Sequence, residues 1–146
     1  MNRREIREKA FMFLFQLELQ KGSETEQMEA FMQEYEISAE SDRYFSQLVD
    51  GVRQKQEEID AAFADYLKGW TKDRLPRVDL TIIRLAVYEI MFTDEVPDSV
   101  AISEAVLLAK KFSTEESRAY INAVLGNVSR NPRAIREEIQ EDKHNE

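Results

Sequence analysis

The run from Asp79 to Phe92, Asp-Leu-Thr-Ile-Ile-Arg-Leu-Ala-Val-Tyr-Glu-Ile-Met-Phe, is the most apolar stretch of the chain and limits what it can fold into. Leu80, Ile83, Val87, Tyr88, Ile90 and Met91 recur at helical spacing, while Ile82, Leu85, Ala86 and Phe92 widen the stripe to nearly every face. A helix that is apolar all round is stable only when other elements pack on most of its sides. Arg84 and Glu89 are its only charges after Asp79, and both are expected to look out through gaps. A second helix follows Pro97, with Val100, Ala101, Ala105, Leu108, Ala109 and Phe112 on one stripe and Ser103, Lys110 and Lys111 outside it. Thr93 to Ser99 joins the two as a helical hairpin, and the small Ala101, Ala105 and Ala109 let the helices approach closely.

The rest of the chain reads as further helices around this hairpin. With only 4 Gly and 3 Pro among 146 residues, 34% charged and 42% hydrophobic, the composition favours an all-α protein with one sizeable core. A first helix is expected from about Asn2 to Gln20, burying Ile6, Ala10, Phe13, Leu14 and Leu17, with a stop at Lys21-Gly22. A second, Glu24 to Tyr35, carries Met28, Phe31, Met32 and Tyr35. From Ser41 the apolar pattern persists through Tyr44, Phe45, Leu48, Val49, Val52, Ile59, Ala62, Phe63, Tyr66 and Leu67. It weakens over Arg53 to Glu58, so one long helix or two shorter ones would fit. The connector Gly69-Trp70 to Arg77, with Pro76, is the expected boundary between an N-terminal sub-bundle (about 1–68) and a C-terminal one (about 70–140) of a single domain. Ser113-Thr-Glu-Glu116 has capping-box spacing and opens a helix that buries Tyr120, Ile121, Val124, Leu125 and Val128. Asn131-Pro132 is expected to end it and to open a short final helix, and the polar residues 141 to 146 are expected to fray.

Chemistry is scarce. The sequence has no cysteine, so disulfides and thiolate metal sites are excluded and a reducing, cytoplasmic setting is expected. The only histidine, His144, lies in the polar tail, and no glycine-rich phosphate loop or GxSxG motif occurs. Acidic pairs such as Glu57 with Asp60, or Glu137 with Glu141, read as solvated faces. An enzyme is not expected, and no cofactor is implied. No apolar run is long enough for a membrane span, and Glu5, Glu8 and Glu18 interrupt any signal-peptide core. The formal charge is −9, yet residues 1 to 11 carry four positive and two negative charges. Arg3, Arg4 and Arg7 share a helix face continued by Phe11 and Phe15, at a helix N-terminus where the macrodipole favours anions. An external anion would explain cations placed there.

The ordered series Asp79-Leu-Thr-Ile-Ile-Arg-Leu-Ala-Val-Tyr-Glu-Ile, Val96-Pro, Val100-Ala-Ile-Ser-Glu-Ala-Val, Leu108-Ala-Lys-Lys-Phe112 and Tyr120-Ile-Asn-Ala-Val-Leu125 resembles the NusB transcription antitermination family. Arg3-Arg-Glu-Ile-Arg7 and Ala10 to Gln16 match that family's opening helix, so the resemblance covers nearly the whole chain. It implies an all-α fold of about seven helices, arranged as two roughly perpendicular three-helix bundles. It also implies an antitermination factor that binds boxA-type single-stranded RNA of ribosomal RNA leaders. The partners so implied are a small-subunit ribosomal protein, NusE, and the RNA polymerase antitermination complex.

Residue by residue, the resemblance places Arg3, Arg4 and Arg7 in an arginine-rich RNA-binding segment. Phe15 stands where family members use a tyrosine, which removes a hydroxyl and keeps a stacking face. Glu116, Arg118 and Tyr120 match the loop and helix start beside the RNA, with Tyr120 in place of the usual Phe and Lys110 and Lys111 nearby in sequence. Asp79 matches an acidic position tied to the ribosomal-protein interface. Ser103 and Ala123 depart from the family's usual Asn and Asn-Gly. Simpler roles stay open: a solvated face for the arginines, core packing for Phe15 and Tyr120, helix capping for Asp79 and Glu116. On this reading the six cations Arg3, Arg4, Arg7, Lys110, Lys111 and Arg118 form a basic lane open to water on an otherwise acidic body. The rival reading is a protein–protein adaptor or a homodimer that touches no RNA.

Overall fold

A computed structural model describes residues 1–131; the helix expected after Pro132, the polar end and His144 lie outside the described residues. Those residues form seven helices and no strand: α1 (Arg3–Leu19), α2 (Glu24–Glu34), α3 (Ala39–Gln54), α4 (Gln56–Ala64), α5 (Arg77–Phe92), α6 (Asp98–Phe112) and α7 (Glu115–Arg130). The pattern that left one helix or two open between residues 41 and 67 resolves into two, broken at Lys55.

Local chemistry sets the helix ends. Asn2 caps α1 by accepting the Glu5 N–H at 2.9 Å, and Ser23 caps α2 by accepting that of Glu26 at 3.3 Å. Helix α2 stops where Glu36 takes the left-handed conformation, φ 51°. The Ile37 N–H then reaches Met32 O and the Glu36 N–H reaches Gln33 O, the paired bonds of a Schellman motif.

Contacts divide the chain into two compact units, one running Met1–Gln54 and one starting at Lys55. The division therefore falls at the polar run around Lys55 and not at the Gly69-Trp70 connector. The reason is that α4 buries Ile59, Ala62 and Phe63 and packs on α5 and α7. In the first unit α1 packs on α3 and α2. Phe13, Phe31 and Phe45 meet there with ring centroids 5.2, 5.7 and 6.0 Å apart, and Tyr35 lies 4.5 Å from Phe31.

In the second unit every residue of α5 from Asp79 to Met91 is buried, as an all-round apolar pattern requires. Burial extends to its charges, contrary to the expectation that they face out: Arg84 is 8% exposed and Glu89 1%. Arg84 is met by Asp60 of α4 in a bidentate pair, Nε to Oδ1 and Nη2 to Oδ2, both at 2.9 Å. Lys72 of the connector donates to the same Oδ2 at 3.3 Å. Asp60 is thus buried, and only Glu57 of that acidic pair lies on a solvated face.

Helix α6 buries Ala101, Ala105, Leu108 and Ala109 as expected, against α5 and α7. Val100 does not join them. It stands about 100° around the helix from Ala101, on the face it shares with Leu107, and is 41% exposed. Helix α7 buries Ile121, Val124, Leu125 and Val128. Its cap is Thr114, whose hydroxyl accepts the Ser117 N–H at 3.1 Å, because the Ser113 hydroxyl is engaged elsewhere.

The Asp60–Arg84 pair yields a prediction. Asp60→Ala removes the bidentate acceptor of a buried guanidinium and is expected to cost about 3–5 kcal/mol in urea denaturation. The double variant Asp60→Leu, Arg84→Met, which removes both charges, is expected to recover most of that stability.

Candidate nucleic-acid interface

In the first unit, the residues singled out in the sequence do not share one environment. Arg3 and Arg4 are exposed at the start of α1, whereas Arg7 is 5% exposed. The three-arginine ridge open to water is therefore not what α1 presents. Positions 7, 10, 11 and 14 recur at helical spacing, and Ala10, Phe11 and Leu14 are core residues, so Arg7 falls on the buried stripe. Its Nη2 donates to the Tyr44 hydroxyl of α3 at 3.2 Å. The Arg3 guanidinium lies over the ring of the same tyrosine, 4.9 Å from its centroid. Tyr44, read from the sequence only as part of an apolar pattern, is the group the two arginines share.

Phe15 is half-buried and stacks on the buried Phe11, with ring centroids 6.1 Å apart and planes 13° from parallel. Eleven residues separate it from Arg4, three turns of helix, so the two lie within about 20° of one another around α1. That flank combines a cation with a supported, partly open aromatic face. Lys9, on the other side of the helix, sits over Tyr35 at 4.7 Å.

In the second unit, Lys110 and Lys111 are exposed in the last turn of α6, where cations complement the C-terminal end of the helix dipole. Lys111 Nζ lies 5.6 Å from the Phe112 ring centroid. Glu116 is exposed in the first turn of α7, and Arg118 is half-buried. Beside them a groove of about 670 Å³ is walled by Trp70, Leu75, Pro76, Val78, Phe112 and Tyr120. At its base lies Asp79, which is 3% exposed and so is not an open surface for a partner. Nor is it the N-cap of α5, a position held by Pro76. Its two carboxylate oxygens accept from Ser113 Oγ at 2.5 Å and Ser117 Oγ at 2.6 Å. Asp79 thereby ties the start of α5 to the corner between α6 and α7. Ser113 was legible in the sequence only as part of a capping box, and nothing in the sequence singled out Ser117.

Tyr120 projects into the same groove. Its hydroxyl is buried with no hydrogen-bond partner, and burial, followed by the nearby Asp79 charge, raises its pKa above the ordinary 10.0. Both effects disfavour the phenolate. Among the described residues no group of three His, Cys, Asp or Glu could hold a metal ion, and no helix is long and apolar enough to cross a membrane. The first unit offers cations and a stacking face, and the second offers cations and a largely apolar groove lined by Asp79; each is a means of recognition.

Tyr120→Phe removes a buried hydroxyl without a partner and is expected to leave thermal stability at pH 7 unchanged or raise it by up to about 1 kcal/mol. Because the folded-state pKa is raised, the neutral phenol's contribution is complete below the unfolded pKa near 10 and lost as pH rises through the folded value. The wild-type chain should therefore lose more stability than Tyr120→Phe above about pH 10. A parallel decline of the two would show that Tyr120 is not the group responsible.

Comparison with known proteins agrees along the chain. The model of the NusB family matches residues 4–130. The transcription antitermination protein NusB of Acetivibrio thermocellus is 44% identical over 128 residues, covering 88% of each chain. That of Listeria innocua is 43% identical over 129 residues, covering 88% of this chain and 97% of its own. Among solved structures, T. maritima NusB aligns with a TM-score of 0.83 at 28% identity, over 94% of this chain and 98% of that one. A crystal structure of antitermination factors NusB and NusE in complex with dsRNA aligns with a TM-score of 0.79 at 26% identity, over 88% and 96%.

Proposed function

The chain belongs to the NusB family, and from that premise we propose that it is a transcription antitermination factor acting by recognition rather than catalysis. On this reading it binds boxA-type single-stranded RNA of ribosomal RNA leaders together with the small-subunit ribosomal protein NusE, as part of an antitermination complex of RNA polymerase in the cytoplasm. The observation that carries the reading is the agreement of the family match with relatives named for antitermination and a solved neighbour that holds NusE and RNA.

Exposure and contacts support the following division of roles among the side chains. Arg3 and Arg4 are the α1 arginines exposed to meet phosphate, and Phe15 offers a base-stacking face beside Arg4. Arg7 acts from within, through its bond to Tyr44. Lys110, Lys111 and Arg118 supply cations in the second unit, and Glu116 stands at the same helix start. The groove beside Asp79 and Tyr120 is the surface we assign to the ribosomal protein, with Asp79 holding its wall in place. With a formal charge of −9, the chain alone binds RNA weakly and with strong salt dependence, and a basic partner relieves that repulsion.

The test is RNA binding to a boxA-type single strand, and to its duplex, with and without the ribosomal protein. Arg3→Ala with Arg4→Ala is expected to weaken binding about tenfold and to flatten the slope of log K against log salt by about 0.7 for each phosphate no longer neutralised. Circular dichroism should be unchanged. Arg7→Ala, by contrast, is expected to lower stability as well. Unaltered affinity and slope in the double variant would remove α1 from the RNA surface. A chain that light scattering shows as a dimer with no response to RNA would favour the adaptor reading, for which exposed Val100 and Leu107 provide an apolar face.

A further inference from the structure

We propose that Tyr44 of α3 is a positioning residue for RNA recognition, holding the Arg3 guanidinium over its ring so that the cation meets phosphate already in place. The inference rests on the RNA reading of α1 given above. Arg3 and Arg7 are one helical turn apart and so project in nearly the same direction. Tyr44 engages both, its ring 4.9 Å under the Arg3 guanidinium and its hydroxyl accepting from Arg7 Nη2 at 3.2 Å. The two contacts divide the labour. Arg7, buried, fixes the tyrosine's tip, and the ring then serves Arg3, which is exposed.

The geometry suits a phosphate ligand. A guanidinium over an aromatic ring is attracted by the ring's negative face, and its planar fork of N–H donors matches the geometry of phosphate. The negative face of the ring also offsets the unfavourable placement of a cation at a helix N-terminus. An arginine on a flexible stem would lose its rotamer freedom on binding RNA, and one already held over an aromatic ring has given up much of it beforehand. Charge alone therefore does not describe Arg3; its placement is part of the site.

The experiment is a double-mutant cycle on the full chain, read by fluorescence anisotropy of a labelled boxA-type single strand, using Arg3→Ala, Tyr44→Leu and their combination. Arg3→Ala and Tyr44→Leu are each expected to weaken binding about three- to tenfold, and Arg3→Ala to add less than about twofold in the Tyr44→Leu background. Tyr44→Phe keeps the ring and should recover most of the affinity that Tyr44→Leu forfeits. A purely structural role would make the two effects multiply, and that result overturns the proposal. So does full affinity in Tyr44→Leu when Arg3→Ala is impaired, an outcome that leaves the RNA reading standing. If Arg3→Ala itself binds normally, the RNA reading of α1 fails and the proposal with it. Should Tyr44→Leu not fold, Arg3→Lys decides the matter. It keeps the charge and loses the planar guanidinium, so a loss of about two- to threefold supports the proposal and wild-type affinity overturns it.

Discussion

A helix buried on every face leaves its polar side chains no water to turn to, so each charge on α5 has to be met by what surrounds it. This condition shapes the whole unit that begins at Lys55. Asp60 answers Arg84 from α4, and Lys72 answers Asp60 from the connector, so one buried ion pair recruits both the preceding helix and the loop after it. At the other end of α5, Asp79 draws in Ser113 and Ser117 and so fixes where α6 stops and α7 starts. Apolar area supplies most of the stability, and these two carboxylates select the arrangement in which it is buried.

The first unit solves a different problem, that of keeping cations at the positive end of a helix dipole. Aromatic side chains contribute to it: Tyr44 takes Arg3 on its ring and Arg7 on its hydroxyl, and Tyr35 takes Lys9. Such contacts hold a cation in place through the negative face or the hydroxyl of the ring.

Helix positions and the α5–α6 hairpin were legible in the sequence because periodicity reports which residues share a face. The alanine stripe of α6 and the buried positions of α7 follow from the same signal. What periodicity does not report is which charged residue crosses into the core, since that depends on a partner distant in sequence. Asp60 and Arg84, 24 residues apart, each resemble surface charges until they are seen together. Arg7 is the instructive case, because its register with Ala10, Phe11 and Leu14 marked it as buried while its charge suggested the opposite. The shift of the α7 cap from Ser113 to Thr114 has the same origin, a competing acceptor supplied by another helix.

Trp70 is the only tryptophan of the chain, and it stands 51% exposed on the wall of the groove that Tyr120 and Asp79 also line. Its indole is a large amphipathic plate at the rim of an apolar trough, an arrangement enriched where surfaces meet. One consequence is optical. All tryptophan emission from this protein originates at that wall, so an occupant entering the trough shields the indole from solvent and announces itself in the colour of the native fluorescence, with no label attached.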